Sequence, residues 1–278
     1  MDGPNPSGAR AGTLAPGMEV TERFAALVGR PDDEIALDEG ALLIAAHAYP
    51  DLDVAAELGR LDELAGGCAA RDVGELGRWL FVDLGFSGNV RAYHDPRNSY
   101  LNDVVARRTG IPISLAVLAL AVGDRIGVDL VGIGMPGHFL LRDRRDPDGF
   151  LDPFARGARL DPAACRAAFH ALHGHDTAFD PRYLEPVGAT AILGRMLANL
   201  RGIFTATGDR RSLQWVLRLR LTIPGVPPEE RAELAALLAA GGRFGEAADE
   251  LGYLATELGG ELGDEYGRSA ERFRARLN

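Results

Sequence analysis

The sequence contains no lysine: all 30 of its basic residues are arginine. Without a side-chain amine the chain cannot form a Schiff base, anchor pyridoxal phosphate or supply the lysine of a phosphate-binding loop. Cysteine is nearly absent too. Cys68 and Cys165 lie far apart and in no CxxC pair, which argues against a disulfide framework and a thiolate zinc site and predicts reduced, mostly buried thiols. No apolar run approaches the roughly 20 residues of a membrane-spanning helix, and the opening MDGPNPSGARAGTLAPG lacks the apolar centre of a secretion signal. A cytoplasmic location without a membrane partner is therefore expected. Basic clusters are missing as well. With 40 acidic against 30 basic residues the formal net charge is −10, which repels a phosphate backbone and makes nucleic acid an unexpected partner.

What is present is a foldable composition, 46% hydrophobic over 278 residues, enough for one sizeable core or two smaller ones. Residues 1–17, rich in Gly, Pro, Ala and Ser, predict a disordered tail. Residues 18–85 predict a helical subdomain, with Phe24, Leu27 and Val28 on one face, a second stripe through Leu42, Leu43 and Ala46 capped by Asp33 or Asp38, and two further helices. Residues 86–162 form the expected core. There Pro112, at the first position of a helix over residues 112–125, suits a turn whose N–H groups lack partners. That helix is apolar nearly all round, so it belongs at the centre of the fold. Strand-like runs over residues 128–135, 138–142 and 150–154 follow, and helix before antiparallel strands is an α+β signature. Residues 163–278 read as helices near 163–173, 186–207, 211–221, 229–240, 244–258 and 264–276, the last pairs resembling tetratricopeptide-type hairpins.

The core offers, in order, Ser114 in the first turn of the buried helix, His138 at a strand start and Asp152 in the next strand. Papain-like and transglutaminase-like enzymes use that order, with the nucleophile at a helix N-terminus and the His and acid brought from strands. The long run FSGNVRAYHDPRNSYLNDVVARRTGIPISLAVLALAVGDRIGVDLVGIGMPGHFLLRDR, followed by FLDPFARGARL, resembles the bacterial SirB-one family, whose members carry a transglutaminase-like domain. ALLIAAHAYPDLDV, YLEPVGATAILGRMLANLRGIF and GRFGEAADELGYL extend the likeness over nearly everything after Met18. The resemblance implies a papain/transglutaminase-like core and a Ser114, His138 and Asp152 site in which Ser stands where the active enzymes have Cys. It also makes His94, Asp95, Asn98 and Asn102, in the polar loop before the central helix, candidates to line a cleft, with Gly110, Pro112 and Gly137 as cleft or structural positions. Each residue has a plainer role beside that one: Ser114 as a helix cap, His138 as a partner of strand-end backbone, and the Asp and Asn side chains as turn formers.

An alcohol cannot be held ionised as a thiol can, so it needs general-base help during attack. Two readings follow. One is a serine hydrolase or acyltransferase in which His138 is the base and Asp152 orients it. The other is a non-catalytic module whose inherited cleft binds a peptide or protein, and the replaced nucleophile tilts the balance toward it. Gly132, Gly134 and Gly137 spell GxGxxG, but a strand pattern, HFLLR, follows in place of a helix and Pro136 removes an N–H, so the glycines are expected to allow close backbone approach. His170, His173 and His175, near Cys165 and Asp176, lack the spacing of a zinc site and read as a solvated helix end. Neither a metal nor a cofactor is expected.

Overall fold

The computed structural model describes residues 16–277, so the predicted tail lies, up to residue 15, outside the described residues. Four helices come first: α1 (Pro16–Val28), α2 (Leu37–Ala48), α3 (Val54–Gly66) and α4 (Val73–Arg78), the last continuing as a wider turn over Trp79–Asp83. Phe24, Leu27, Leu42, Leu43, Leu61 and Leu76 of these helices are buried, as their spacing requires. The expected cap of α2 is corrected. Its N-cap is Ala36, without a side-chain bond, and Asp38 instead reaches Arg125 at 2.7 Å.

A two-residue strand β1 (Ser87–Gly88) then pairs in parallel with β2 (Thr109–Gly110), with α5 (Leu101–Arg107) between them. Next comes α6 (Pro112–Ile126), with Pro112 in its first turn and a left-handed Gly127 (φ 75°) ending it. Leu115, Ala116, Val117, Leu118 and Val122 are all buried, and α6 packs against α2, α3, α4 and α5 and against the sheet. Full burial of each large apolar side chain contributes about 1.5–3 kcal/mol, which makes α6 the organising element of the core.

The sheet contains β3 (Leu130–Ile133), β4 (Leu140–Asp143), β5 (Phe150–Asp152), β6 (Ala158–Leu160) and β7 (Pro186–Val187) in the antiparallel order β6-β5-β4-β3-β7. Two expectations are corrected here. The second strand begins at Leu140 because residues 135–138 form a turn, with His138 N–H on the Met135 carbonyl at 3.0 Å and Gly137 left-handed at φ 76°. Residues 186 and 187 are strand, not helix, because they pair with Ile133 and Gly132. The close approach expected at the glycines is present at Gly132, where a Cβ would stand 2.9 Å from the Phe139 ring.

The remaining helices are α7 (Pro162–His173), α8 (Ala189–Thr207), α9 (Arg210–Arg220), α10 (Pro228–Ala240), α11 (Phe244–Leu258) and α12 (Gly260–Arg274). The start of α8 is fixed from afar: both carboxylate oxygens of Asp32 accept its first N–H groups, those of Ala189 and Thr190, at 2.9 Å. Successive pairs α8 with α9, α10 with α11 and α11 with α12 pack together. One apolar cluster joins α1–α6 to α8–α11, while Cys165 and Phe169 of α7 cover the other sheet face with Val131, Ile133, Leu140 and Phe150. No helix among the described residues is long and apolar enough to cross a membrane.

Candidate functional site

The N-terminus of α6 carries Ser114 at its third position, and the side chain turns back rather than out. Its hydroxyl accepts the Ile111 N–H at 3.1 Å and donates to the Asn98 carbonyl at 2.5 Å, and the residue is completely buried. Ile111 has no polar atom to return the bond, so this is half of a capping box. Gly110 belongs to the same arrangement, since a Cβ there would come within 2.7 Å of the Ser114 oxygen. Pro112 supplies no N–H to the turn.

Asn98 is the hub of the preceding loop. Its buried amide donates to the Ala92 and Tyr93 carbonyls at 2.7 and 3.2 Å and accepts from the Asn89 side chain at 3.0 Å. Asp95 stabilises the next turn: it accepts the Arg97 N–H at 3.0 Å and grips the guanidinium at 2.7 Å, and the hydrogen bond from Arg97 holds its carboxyl below the usual range. His94 is exposed and lies edge-on to Tyr93, with ring centres 5.3 Å apart. Asn102 is half-buried, and its Oδ1 has no partner among the described residues.

His138 and Asp152 are brought together. Nδ1 of the imidazole stands 3.9 Å from Oδ2 of the carboxylate, adjacent but beyond a direct hydrogen bond. The other carboxylate oxygen is already committed, accepting the N–H groups of Phe154 and Ala155 at 2.8 and 3.1 Å and thereby folding the turn after β5. Oδ2 is left to face the ring. Gly137 is required twice in the turn that presents His138: its φ is 76°, and a Cβ would lie 2.7 Å from Leu172.

Ser114 does not join this pair. Among the described residues its hydroxyl meets backbone atoms of Asn98 and Ile111 and makes no hydrogen bond to His138. Cys165 offers no substitute. It is buried beneath the sheet, and burial, assisted by Asp161 and Asp152, pushes its thiol up to about 11, so it is protonated at neutral pH. No three His, Cys, Asp or Glu side chains among the described residues converge as a metal ion would require.

Two further residues adjoin the pair and lie outside the candidate set. Phe154 follows Asp152 in the turn and meets Tyr93 edge-on at 5.9 Å. Arg195 of α8 lies over the Phe139 ring, 5.5 Å from its centre, and its Nη2 donates to the carbonyls of Met135 and His138 at 3.1 and 2.8 Å. Burial lowers its pKa, with the nearby Tyr93 working against that shift. Its one visible sequence signal is a charge inside the apolar run ILGRML. A cavity of about 450 Å³ opens between the loop and α8, lined by Tyr93, His94, Ile111, Asn199, Gly202 and Thr207 among others. A cavity of about 800 Å³ lies well away from the pair, between the N-terminal helices and α9 and α11.

The transglutaminase-like superfamily profile matches residues 51–198. A UPF0162 protein of Xylella fastidiosa (strain Temecula1) is 37% identical over 239 residues, covering 80% of this chain and 84% of that protein. A UPF0162 protein of Pseudomonas aeruginosa is 35% identical over 184 residues, 63% of this chain and 67% of its own. The F-box only protein 21 of Homo sapiens is 32% identical over 144 residues, which are 49% of this chain and 22% of that protein. No solved structure matches the chain. A superfamily match over more than half of the sequence, with relatives aligned over most of both chains, shows that the chain belongs to the transglutaminase-like superfamily and to the UPF0162 family.

Proposed function

We propose that the chain is a non-catalytic binding module that holds a peptide or protein segment in the cleft beside His138 and Asp152. The observation that carries this reading is the Ser114 hydroxyl, which is completely buried and saturated by the backbone of Ile111 and Asn98. A nucleophile must present its oxygen to both base and substrate. The imidazole of His138 is partly accessible, and in the turn after Asp152 the Phe154 ring meets Tyr93 edge-on, which suits recognition of an extended backbone by hydrogen bonds and ring contacts. The likeness to one short part of an F-box protein supports a portable module. The helical pairs after α8, which we read as tetratricopeptide-like, add partner surface, and the same reading fits the SirB-one resemblance.

One observation favours a second reading, a serine hydrolase or acyltransferase acting on amide, peptide or ester bonds: the His138 and Asp152 side chains stay 3.9 Å apart. A serine-directed phosphonate separates the two. The binding module predicts no labelling of Ser114 in the wild-type protein, and a thiol in Ser114→Cys that alkylates no faster than free cysteine. Labelling that disappears specifically in Ser114→Ala would establish the enzyme.

A further inference from the structure

The outer edge of β3 is only half covered. β7 pairs with Gly132 and Ile133, and the chain then turns at Gly188 into α8, so no strand stands opposite Leu130 on that side. The phase of the ladder is set by the other neighbour. The Arg144 N–H donates to the Asp129 carbonyl at 3.0 Å, in the register that pairs Leu130 with Asp143, and successive residues of an antiparallel strand turn their backbone groups to alternate sides. Asp129, Val131 and Ile133 therefore face β4, while Leu130 and Gly132 face the side of β7. Pro186 fits this phase, because it lies opposite Ile133, where no N–H is needed. Among the described residues no bond from a turn, a helix or a side chain reaches the Leu130 N–H or carbonyl. One donor and one acceptor are thus left open on a sheet edge.

Leu130, Val131 and Gly132 line a cavity of about 750 Å³ between the end of α6 and the segment that leads into α2. Half-buried Leu120, Leu130 and Val187 give it apolar surface, and Asp32, Asp33, Glu34, Asp38 and Asp124 give it carboxylates. Two of these acids are occupied. Asp32 caps α8, and Asp38 shares Arg125 with Asp62, at 2.7 and 2.6 Å. Arg144, the other arginine of the wall, is held by Asp129 at 2.9 Å. Asp33, Glu34 and Asp124 are exposed and make no ion pair among the described residues.

We infer that this cavity docks an extended, arginine- or lysine-bearing segment of a partner protein, whose backbone pairs with Leu130 and whose cation is taken by the wall of Asp33, Glu34 and Asp124. The open backbone pair matches a polypeptide, and the uncompensated carboxylates match a positive charge carried on it. A bare metal ion fits less well, since no three His, Cys, Asp or Glu side chains among the described residues converge as it would require. None of the lining residues belongs to the His138 and Asp152 site, so this surface is independent of the proposed cleft.

The test uses the full chain and fluorescein-labelled nonapeptide pools with blocked ends, read by anisotropy. Three positions at each end are random among uncharged residues. One pool has Val-Arg-Val at its centre, a second has Val-Glu-Val, and a third has Val-Arg-Val with its three amides N-methylated. The Arg pool is expected to bind at least about ten-fold more tightly than the Glu pool, the lower end for a hydrogen bond to a charged group, and N-methylation should weaken it about five-fold. The triple variant Asp33→Asn, Glu34→Gln, Asp124→Asn should lose the preference for Arg while its denaturant midpoint stays in place, because all three side chains are exposed. His138→Ala should change nothing. Equal binding of the Arg and Glu pools, or a preference that survives in the triple variant, overturns the inference. An N-methylated pool that binds as well as its parent also overturns it, in favour of a surface that takes any cation. Arg-pool binding lost in His138→Ala transfers the peptide to the cleft and overturns it as well, with the binding module left standing.

Discussion

Ser114 and Asn98, sixteen residues apart, are tied by a 2.5 Å hydrogen bond from the serine hydroxyl to the asparagine carbonyl. That bond locks the loop of residues 89–98 onto the first turn of α6, and it occupies the atom that a hydrolytic mechanism would need. The Ile111 N–H completes the arrangement from the other side. In this fold the first turn of the central helix is a structural joint.

Removing the hydroxyl should therefore cost stability and leave binding alone. Ser114→Ala strands a buried carbonyl and a buried N–H, with an expected loss of about 1–3 kcal/mol. Urea unfolding should show a lowered midpoint at an unchanged slope, while peptide affinity, measured well below that midpoint, stays at the wild-type value.

Asn98→Ala should have the larger local effect. Its amide makes bonds to Ala92, Tyr93 and Asn89 that have no replacement. Faster amide hydrogen exchange confined to residues 88–99 is the expected signature, together with weaker peptide binding, because Tyr93 is positioned by this loop.

The C-terminal helices depend on a buried ion pair. Arg220 meets both oxygens of Glu230 at 2.6 Å and also donates to the Gly194 carbonyl at 2.9 Å, linking α8, α9 and α10. Glu230→Ala leaves that guanidinium charged and uncompensated, a change that costs about 3–5 kcal/mol. A two-state unfolding curve should move by that amount, and replacing both partners with apolar residues should recover much of it.

His47 supplies a pH dependence. It stacks on Trp215 with ring centres 5.3 Å apart, Nδ1 donates to the Leu43 carbonyl, and burial holds its pKa below the ordinary value of about 6.5, with the bond to Leu43 opposing the shift. A lowered folded-state pKa means that the unfolded chain takes up the proton first. Its contribution is full above about pH 6.5 and is lost as the pH falls toward and through the depressed value. Denaturant midpoints recorded from pH 8 down to pH 5 should fall less steeply in His47→Gln than in the wild type.

Much of this architecture was legible because it is local. The all-round apolar face of α6, Pro112 in its first turn and Gly127 after its end are each written within a few residues. Relationships formed across the chain were not legible. Asp32 caps α8 from 157 residues away, and β7 exists by pairing with β3, so neither the start of that helix nor the strand before it is written in the local sequence. His138 and Asp152 could be paired from their order, but the direction of the Ser114 side chain depends on a carbonyl supplied by a different loop. Arg195 was invisible as a site residue because its partners, the carbonyls of Met135 and His138, lie about sixty residues earlier and belong to the backbone.

The central claim is that the cleft binds without reacting. Its most direct test incubates the wild-type protein with a defined peptide pool, recovers the bound fraction and weighs every peptide by mass spectrometry, with His138→Ala in parallel. The account predicts a retained fraction of unchanged mass that is depleted in His138→Ala. Peptides recovered with a mass change of hydrolysis or acyl transfer, present with the wild type and absent with His138→Ala, would contradict it.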